Sequence, residues 1–213
     1  MKRAVTVLLF CFMFMFLLTS CTVSNKSSTS TTNNKSNSEV EAKEKLAKEK
    51  SDALEKKAQE GYTLFFQKKY SEAIAIEDAV IKEDLTFFKA YYIKGITECY
   101  NGNYTEGSAD IDKALALNPN DYMARFNKAL SLELYGHYDE ALNWYNKALE
   151  IQKEEWSFYG IASIYGRRGD VENTVKYLKL AIVLNSDIKN EAKNESDFNP
   201  VKNSHEFIEL VNN

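Results

Sequence analysis

The chain has 213 residues, of which 44% are apolar and 27% are charged, a composition typical of a folded globular protein. Its 27 basic and 31 acidic residues give a formal net charge of -4, which argues against a basic surface that binds nucleic acid. Only 8 glycines and 2 prolines are present, too few for the turns of an all-β fold, so the composition predicts an all-α protein.

The first residues have the pattern of a secretory signal peptide. Lys2 and Arg3 precede an apolar run from Ala4 to Leu18 that contains no charged residue. The run is about 15 residues long, whereas a helix that spans a bilayer needs roughly 20. We therefore predict a signal peptide over residues 1–20. An uncleaved transmembrane segment that extends through Val23 is the alternative.

The four residues Leu18-Thr19-Ser20-Cys21 follow this run and resemble the bacterial lipobox. The resemblance implies cleavage between Ser20 and Cys21, with a thioether-linked diacylglycerol on the Cys21 sulfur and a further acyl chain such as palmitate. Two or three acyl chains hold a protein on a membrane stably, whereas one chain does not. We expect an extracytoplasmic protein that is lipid-anchored to a bacterial cell membrane.

Two polar segments of different composition follow the cysteine. Residues 21–38 are almost entirely serine, threonine, asparagine and lysine, which predicts a flexible tether because they cannot bury enough apolar surface to fold. Residues 39–53 are rich in glutamate, lysine and alanine and predict a charged, solvated helix. Lys43 and Lys50 stand where a heptad seam needs apolar residues, which argues against a coiled-coil dimer.

Beyond residue 53 the sequence repeats with a step of 34 residues. Tyrosine recurs at positions 70, 104 and 138, and small residues recur at positions 61, 95 and 129 and at positions 73, 107 and 141. A period of this length is typical of a helix-turn-helix repeat. Four repeats can be written, over residues 54–87, 88–121, 122–154 and 155–187.

At these positions the chain resembles the tetratricopeptide repeat (TPR) family. The resemblance implies a right-handed superhelix of about four repeats, in which small residues at the eighth, twentieth and twenty-seventh positions let two antiparallel helices approach closely. The chain also departs from the family pattern. Lys68 replaces the turn glycine of the first repeat, and Glu60, Lys94 and Lys128 replace the usual leucine at the seventh position.

The C-terminal residues 188–213 are similar to the segment that often ends bacterial arrays of this family. An Asp197-Phe198 pair precedes a short helix, and Ser204 is placed to cap that helix. We expect Phe198, Phe207 and Leu210 to cover the apolar end of the last repeat.

Nothing in the sequence indicates catalysis. The two histidines, His137 and His205, occur without a CxxC or HExxH motif, so we expect no metal, no cofactor and no enzymatic activity. Cys99 is expected to be a small buried residue. We expect a protein partner and no small-molecule substrate.

In the TPR family the first helix of each repeat lines a concave groove. Here that groove would be aromatic and nearly uncharged, which favours binding of a peptide or helix from a cell-envelope protein. Packing of this stripe on the neighbouring repeat, or cover by the chain's own termini, is the alternative. The residues predicted to contact the partner are Tyr62, Phe66, Tyr92, Ile96, Phe126, Leu130, Trp156 and Tyr159.

A second function is also compatible with the sequence. The chain could be a structural or assembly subunit of an envelope complex, such as a secretion, pilus or cell-wall machine. It would then self-associate through its convex face or through the charged N-terminal helix. The oligomeric state of the soluble part distinguishes this function from that of a groove-binding adaptor.

Overall fold

The computed structural model describes residues 33–212, and every regular element within this range is helical. Four antiparallel helix pairs follow one another and are completed by a short C-terminal segment, which confirms the predicted all-α repeat fold. The helices are α1 (Asn33–Phe66), α2 (Tyr70–Glu83), α3 (Phe88–Tyr100), α4 (Tyr104–Leu117), α5 (Tyr122–Leu134), α6 (Tyr138–Ile151), α7 (Glu155–Arg167), α8 (Val171–Leu184), α9 (Ile188–Asn194) and α10 (His205–Asn212), with a short 3₁₀ helix at Ser196–Phe198.

Small residues let the two helices of each pair touch. Ala73, Ala141 and Ala148 are fully buried at the crossings of their pairs. The contact is closest between α3 and α4, where a β-carbon on Gly95 would lie 2.6 Å from the carbonyl oxygen of Gly107. Because no side chain fits there, the two backbones pack directly on each other.

The turns inside the repeats need a residue in the left-handed region. Gly102, Gly136 and Gly169 have φ angles of 100°, 85° and 72° at this place in the second, third and fourth repeats. Lys68 takes the same place in the first repeat with a φ of 61°. The turn reverses the chain within a few residues, and it is closed by hydrogen bonds such as that from the amide of Asn103 to the carbonyl of Glu98.

Helix α1 begins well before the first repeat. It begins at Asn33, so residues 33–38 form its first turns and the predicted flexible tether is wrong for this part. The segment from residue 33 to residue 53 contains no glycine or proline to end the helix. Residues 40–53 are exposed, and Leu54, which is 1% exposed, is the first buried side chain.

The C-terminal segment covers the last repeat, as predicted. Phe198 and Phe207 are buried and Leu210 is half-buried in one cluster with Leu178 of α8. The hydroxyl oxygen of Ser204 accepts a hydrogen bond from the amide of Phe207 at 3.3 Å, so Ser204 caps α10. The apolar end of the array is therefore closed by the chain itself.

The predicted signal peptide, with Ser20 and Cys21, lies outside the described residues. The first part of the predicted tether, up to residue 32, lies outside them as well. Among the helices from residue 33 to residue 212, none is both long enough and apolar enough to cross a bilayer.

Candidate functional site

The eight predicted groove residues lie on the first helix of each repeat. Helices α1, α3, α5 and α7 are neighbours in the array, and each carries two of these residues. The pairs are Tyr62 and Phe66 on α1, Tyr92 and Ile96 on α3, Phe126 and Leu130 on α5, and Trp156 and Tyr159 on α7.

Tyr92 and Ile96 are buried, with only 7% and 1% of their surface exposed. Tyr92 packs in a cluster with Ala58 of α1 and Ala124 of α5, and Ile96 packs with Ile111 of α4. Helix α3 lies between α1 and α5, so these side chains fill the space between the flanking helices. The prediction that these two residues line an open groove is therefore wrong, because they belong to the core.

The other six residues remain partly accessible, and we call them the groove surface. Trp156 is 44% exposed, and the remaining five are half-buried. A half-buried side chain is held by packing on one face and can contact a partner with the other. Binding then costs little side-chain entropy, because the side chain is already ordered. The groove surface consists of Tyr62, Phe66, Phe126, Leu130, Trp156 and Tyr159.

The N-terminal end of the groove surface is a cluster of aromatic rings. Tyr62 meets Phe66 edge-on with a centroid distance of 4.7 Å, and Phe65 meets Tyr100 in the same way at 5.2 Å. Burial raises the pKa of Tyr62 to about 12, so its hydroxyl is neutral at physiological pH. This end therefore presents uncharged aromatic surface.

The C-terminal end of the groove surface lies beside the chain's own terminus. Trp156 packs edge-on against Tyr159 at 5.7 Å, and Tyr159 packs edge-on against Phe198 at 5.6 Å. Phe198 belongs to the C-terminal segment, so that segment reaches the last helix of the groove. Trp156 keeps its exposed face on the same helix.

The unusual lysines at the seventh position link successive helices. Lys94 on α3 lies 2.9 Å from Asp78 of α2 and 3.2 Å from Asp110 of α4. Lys128 on α5 lies 2.7 Å from Asp112 of α4. Each lysine thus pairs with a carboxylate of the preceding repeat, and Lys94 also pairs with two carboxylates of its own repeat, Glu98 and Asp110. This explains how a charged residue stands where the family usually has leucine.

A buried polar cluster near the C-terminal end was missed by sequence reasoning. The hydroxyls of Tyr145 and Ser163 lie 2.7 Å and 2.9 Å from the two carboxyl oxygens of Glu133. The Ser163 hydroxyl is also 2.6 Å from Asp197, which pairs with Arg167. These residues come from three helices and the C-terminal segment, so no sequence period reveals the cluster.

The described part of the chain shows no group of histidine, cysteine, aspartate or glutamate residues that could hold a metal ion. Cys99 is buried, and burial raises the pKa of its thiol to about 12, which makes it a poor nucleophile. His137 stacks on Tyr104 with a centroid distance of 5.6 Å in a turn between helices.

Comparison with known sequences finds similarity to tetratricopeptide repeats over part of the chain. A family model described as tetratricopeptide repeat matches residues 92–155. TPR repeat-containing protein MJ1428 of Methanocaldococcus jannaschii is 27% identical over 119 residues, which is 55% of this chain and 21% of that protein. The uncharacterized protein MJ0572 of the same organism is 34% identical over 71 residues, which is 33% of this chain and 83% of that protein.

Solved structures share the architecture. A crystal structure of MamA superposes with a TM-score of 0.53 at 24% identity and covers 70% of this chain and 86% of that one. The structure from a functional characterization of Pseudomonas aeruginosa pilF superposes with a TM-score of 0.60 at 14% identity and covers 76% of each chain. At such low identity these similarities show the fold alone.

Proposed function

We propose that this chain, part of which matches the tetratricopeptide repeat model, is a non-catalytic adaptor or scaffold that binds a protein partner. The fold itself indicates protein interaction as the function. In our proposal the partner is a peptide or helix of a cell-envelope protein, and it binds to the groove surface.

The exposure of Trp156 is the observation that carries this proposal. Tryptophan is enriched at interface hot spots, and Trp156 is 44% exposed beside half-buried aromatic rings. None of the six groove-surface residues is charged, so the matching partner segment has an apolar face. An amphipathic helix or an extended peptide with aromatic or aliphatic side chains fits this chemistry.

We further propose that a lipid on Cys21 holds the adaptor on the outer side of a bacterial cell membrane. The sequence from Leu18 to Cys21 supports this, and so does the extended helix α1. Residues 33–53 span about 31 Å at 1.5 Å per residue. A helix of this length would separate the repeats from the membrane and leave the groove accessible to a partner.

Acyl labelling tests the anchor. We expect Cys21→Ala to abolish acyl labelling and to leave an unprocessed precursor. Cys99→Ala is the matched control, because Cys99 is a buried thiol that should be irrelevant to lipidation. A Cys21→Ala protein that still takes up label and is cut after Ser20 would refute the anchor and leave groove binding untouched.

Site-specific photo-crosslinking in cells tests the groove. A photoreactive amino acid at position 156 should give a discrete adduct with an envelope protein. The matched control carries the same group at position 183 on α8, where Val183 is 76% exposed and outside the groove surface. Adducts at position 156 alone support the proposal, whereas equal adducts at both positions, or none at 156, contradict it.

A structural subunit that self-associates is the second candidate, because helix α8 exposes adjacent apolar side chains. Leu180, Val183 and Leu184 are 41%, 76% and 48% exposed along one side of this helix. Exposed apolar patches of this kind often mark protein contacts. For this candidate, crosslinking at position 183 would join two copies of this chain, and the soluble part would sediment as an oligomer.

A further inference from the structure

The hydroxyl of Ser163 stands between two carboxyl groups. Its oxygen lies 2.9 Å from Oε1 of Glu133 and 2.6 Å from Oδ2 of Asp197, and both contacts are buried. A hydroxyl carries one proton and donates one hydrogen bond, while an ionised carboxylate only accepts. If both carboxyls were ionised, one of these contacts would have no proton between its oxygens. One carboxyl must therefore hold a proton.

The surroundings of the two carboxyl groups differ. Asp197 forms a salt bridge with the guanidinium group of Arg167. Glu133 is 6% exposed and its two oxygens face the neutral hydroxyls of Tyr145 and Ser163. Burial raises the pKa of Glu133 above its ordinary value; the hydrogen bonds from Tyr145 and Ser163 lower it in part, and the charge of Asp197 raises it. The proton belongs on Glu133.

The groups around Glu133 come from each side of its helix. Tyr145 faces it from α6. The charge of Arg167 on α7 lowers the pKa of Glu133, and the charge of Asp197 in the C-terminal segment raises it. Tyr100 on α3 helps to raise the pKa of the Tyr145 hydroxyl. Of these groups only Arg167 favours ionisation of Glu133 through its charge, and Arg167 is already paired with Asp197.

We propose that Glu133 is a neutral carboxylic acid at physiological pH and that its proton latches the C-terminal segment onto the third and fourth repeats. Tyr145 donates to Oε2 of Glu133, and the protonated Oε1 donates to Ser163. Ser163 then donates its own proton to the ionised Asp197. Every contact holds one proton, and the chain of hydrogen bonds runs from α6 to the C-terminal segment in one direction.

The latch matters because Asp197 positions its neighbour Phe198. Phe198 is fully buried on Gly166, where a β-carbon would lie 2.6 Å from the ring, and it also contacts Tyr159 of the groove surface. Loss of the Glu133 proton would leave one carboxylate anion on each side of Ser163. Their repulsion would loosen the segment and expose Tyr159. This inference does not depend on the proposed function.

The protonation state can be read by infrared difference spectroscopy of the purified full-length chain at neutral pH. Glu133→Gln is the key variant, because its amide donates to Ser163 and its carbonyl accepts from Tyr145, as the neutral acid does. We expect the wild-type minus Glu133→Gln spectrum to contain the carbonyl stretch of a protonated carboxylic acid. Absence of this band, or a band that disappears in Asp197→Asn instead, would overturn the assignment.

Hydrogen exchange of residues 195–211, corrected for the intrinsic rate at each pH, tests the latch. The closed segment keeps a proton on Glu133 that the open one releases, so protection should fall as pH rises above the ordinary glutamate range. The fall is at most about tenfold per pH unit. Glu133→Gln should remove this dependence, and peptides from α2 should behave alike in both proteins. Equal pH dependence of residues 195–211 in the two proteins would refute the latch.

Discussion

Glu77 of α2 lies directly against Gly61 of α1, and its carboxyl group occupies the space that a β-carbon on residue 61 would need. Glu77 is fully buried, and within the described residues neither of its carboxyl oxygens has a hydrogen-bond partner. The same position of the later repeats holds Ile111, Tyr145 and Leu178, which are also fully buried. The first repeat therefore has an unpaired acid where the others have an uncharged core residue.

This acid should make stability depend on pH. Burial raises the pKa of Glu77 from 4.5 to about 9, so the folded chain keeps a proton that the unfolded chain releases. The associated stability is complete below about pH 4.5 and is lost as pH rises towards about 9, by at most about 1.4 kcal/mol per pH unit. Glu77→Gln cannot ionise, so urea unfolding across this range should show a shallower loss for the variant. Parallel curves for the two proteins would contradict the assignment.

An apolar residue at the same position should stabilise the fold. Glu77→Ile copies the second repeat, where Ile111 packs on Gly95 as Glu77 packs on Gly61. Removing a buried carboxyl without a partner should raise the unfolding free energy at neutral pH by about 1–3 kcal/mol. Ile111→Glu is the matched reverse change and should destabilise. Equal stability of Glu77→Ile and wild type in urea unfolding would show that the buried carboxyl group of Glu77 does not destabilise the fold.

The turn of the first repeat offers a second stabilising change. Lys68 has a φ of 61°, a conformation that costs an L-residue about 1–2 kcal/mol, and glycine avoids this cost. Lys68→Gly should raise the unfolding free energy by about 1 kcal/mol, since part of the gain is offset by the greater freedom of unfolded glycine. Gly102→Lys is the control, because a β-carbon there would meet no atom within 4 Å and only backbone strain is added. Denaturant unfolding that moves both variants in the same direction would contradict this explanation.

The repeat architecture was predictable because it depends on local pattern. Small residues such as Gly95 and Ala141 mark the helix crossings at a fixed step, and the structure places both at closely packed positions. The start of α1 was not predictable in the same way. Serine and asparagine are typical of both helix caps and flexible segments, so composition alone gives no boundary at Asn33.

The exposure of the groove residues also could not be predicted from the sequence pattern. Tyr92 and Phe126 stand at the same position of consecutive repeats, yet Tyr92 is buried and Phe126 is half-buried. The pattern gives the helix face on which a residue stands. Burial depends on the size of side chains from neighbouring repeats, such as Tyr62 and Met123 beside Tyr92, and these come from distant parts of the sequence.

The exposed part of α1 should contribute little to the stability of the repeats. Residues 40–53 are exposed, so a shortened chain that begins at Lys50 should unfold with a free energy within about 0.5 kcal/mol of the longer one. Leu54→Ala marks the boundary and should cost about 2–5 kcal/mol, because Leu54 is buried with Val80 and Ala90. Thermal or urea unfolding of the three proteins provides the comparison. A large loss on shortening would show that this helix packs on the array and does not act as a spacer.

Alanine substitutions of Tyr92 and Trp156 should distinguish an effect on folding from an effect on partner binding. Truncation of the buried Tyr92 to alanine removes a core aromatic and should cost about 3–5 kcal/mol of unfolding free energy. Trp156→Ala should cost less than about 1 kcal/mol, because the ring is 44% exposed. The same change should weaken partner binding by about tenfold or more, equivalent to about 1.4 kcal/mol. Urea unfolding and binding titration of each folded variant measure the two effects. If Trp156→Ala bound its partner as tightly as wild type, the groove surface would not be the binding site, and the exposed face of α8 would be the next to test.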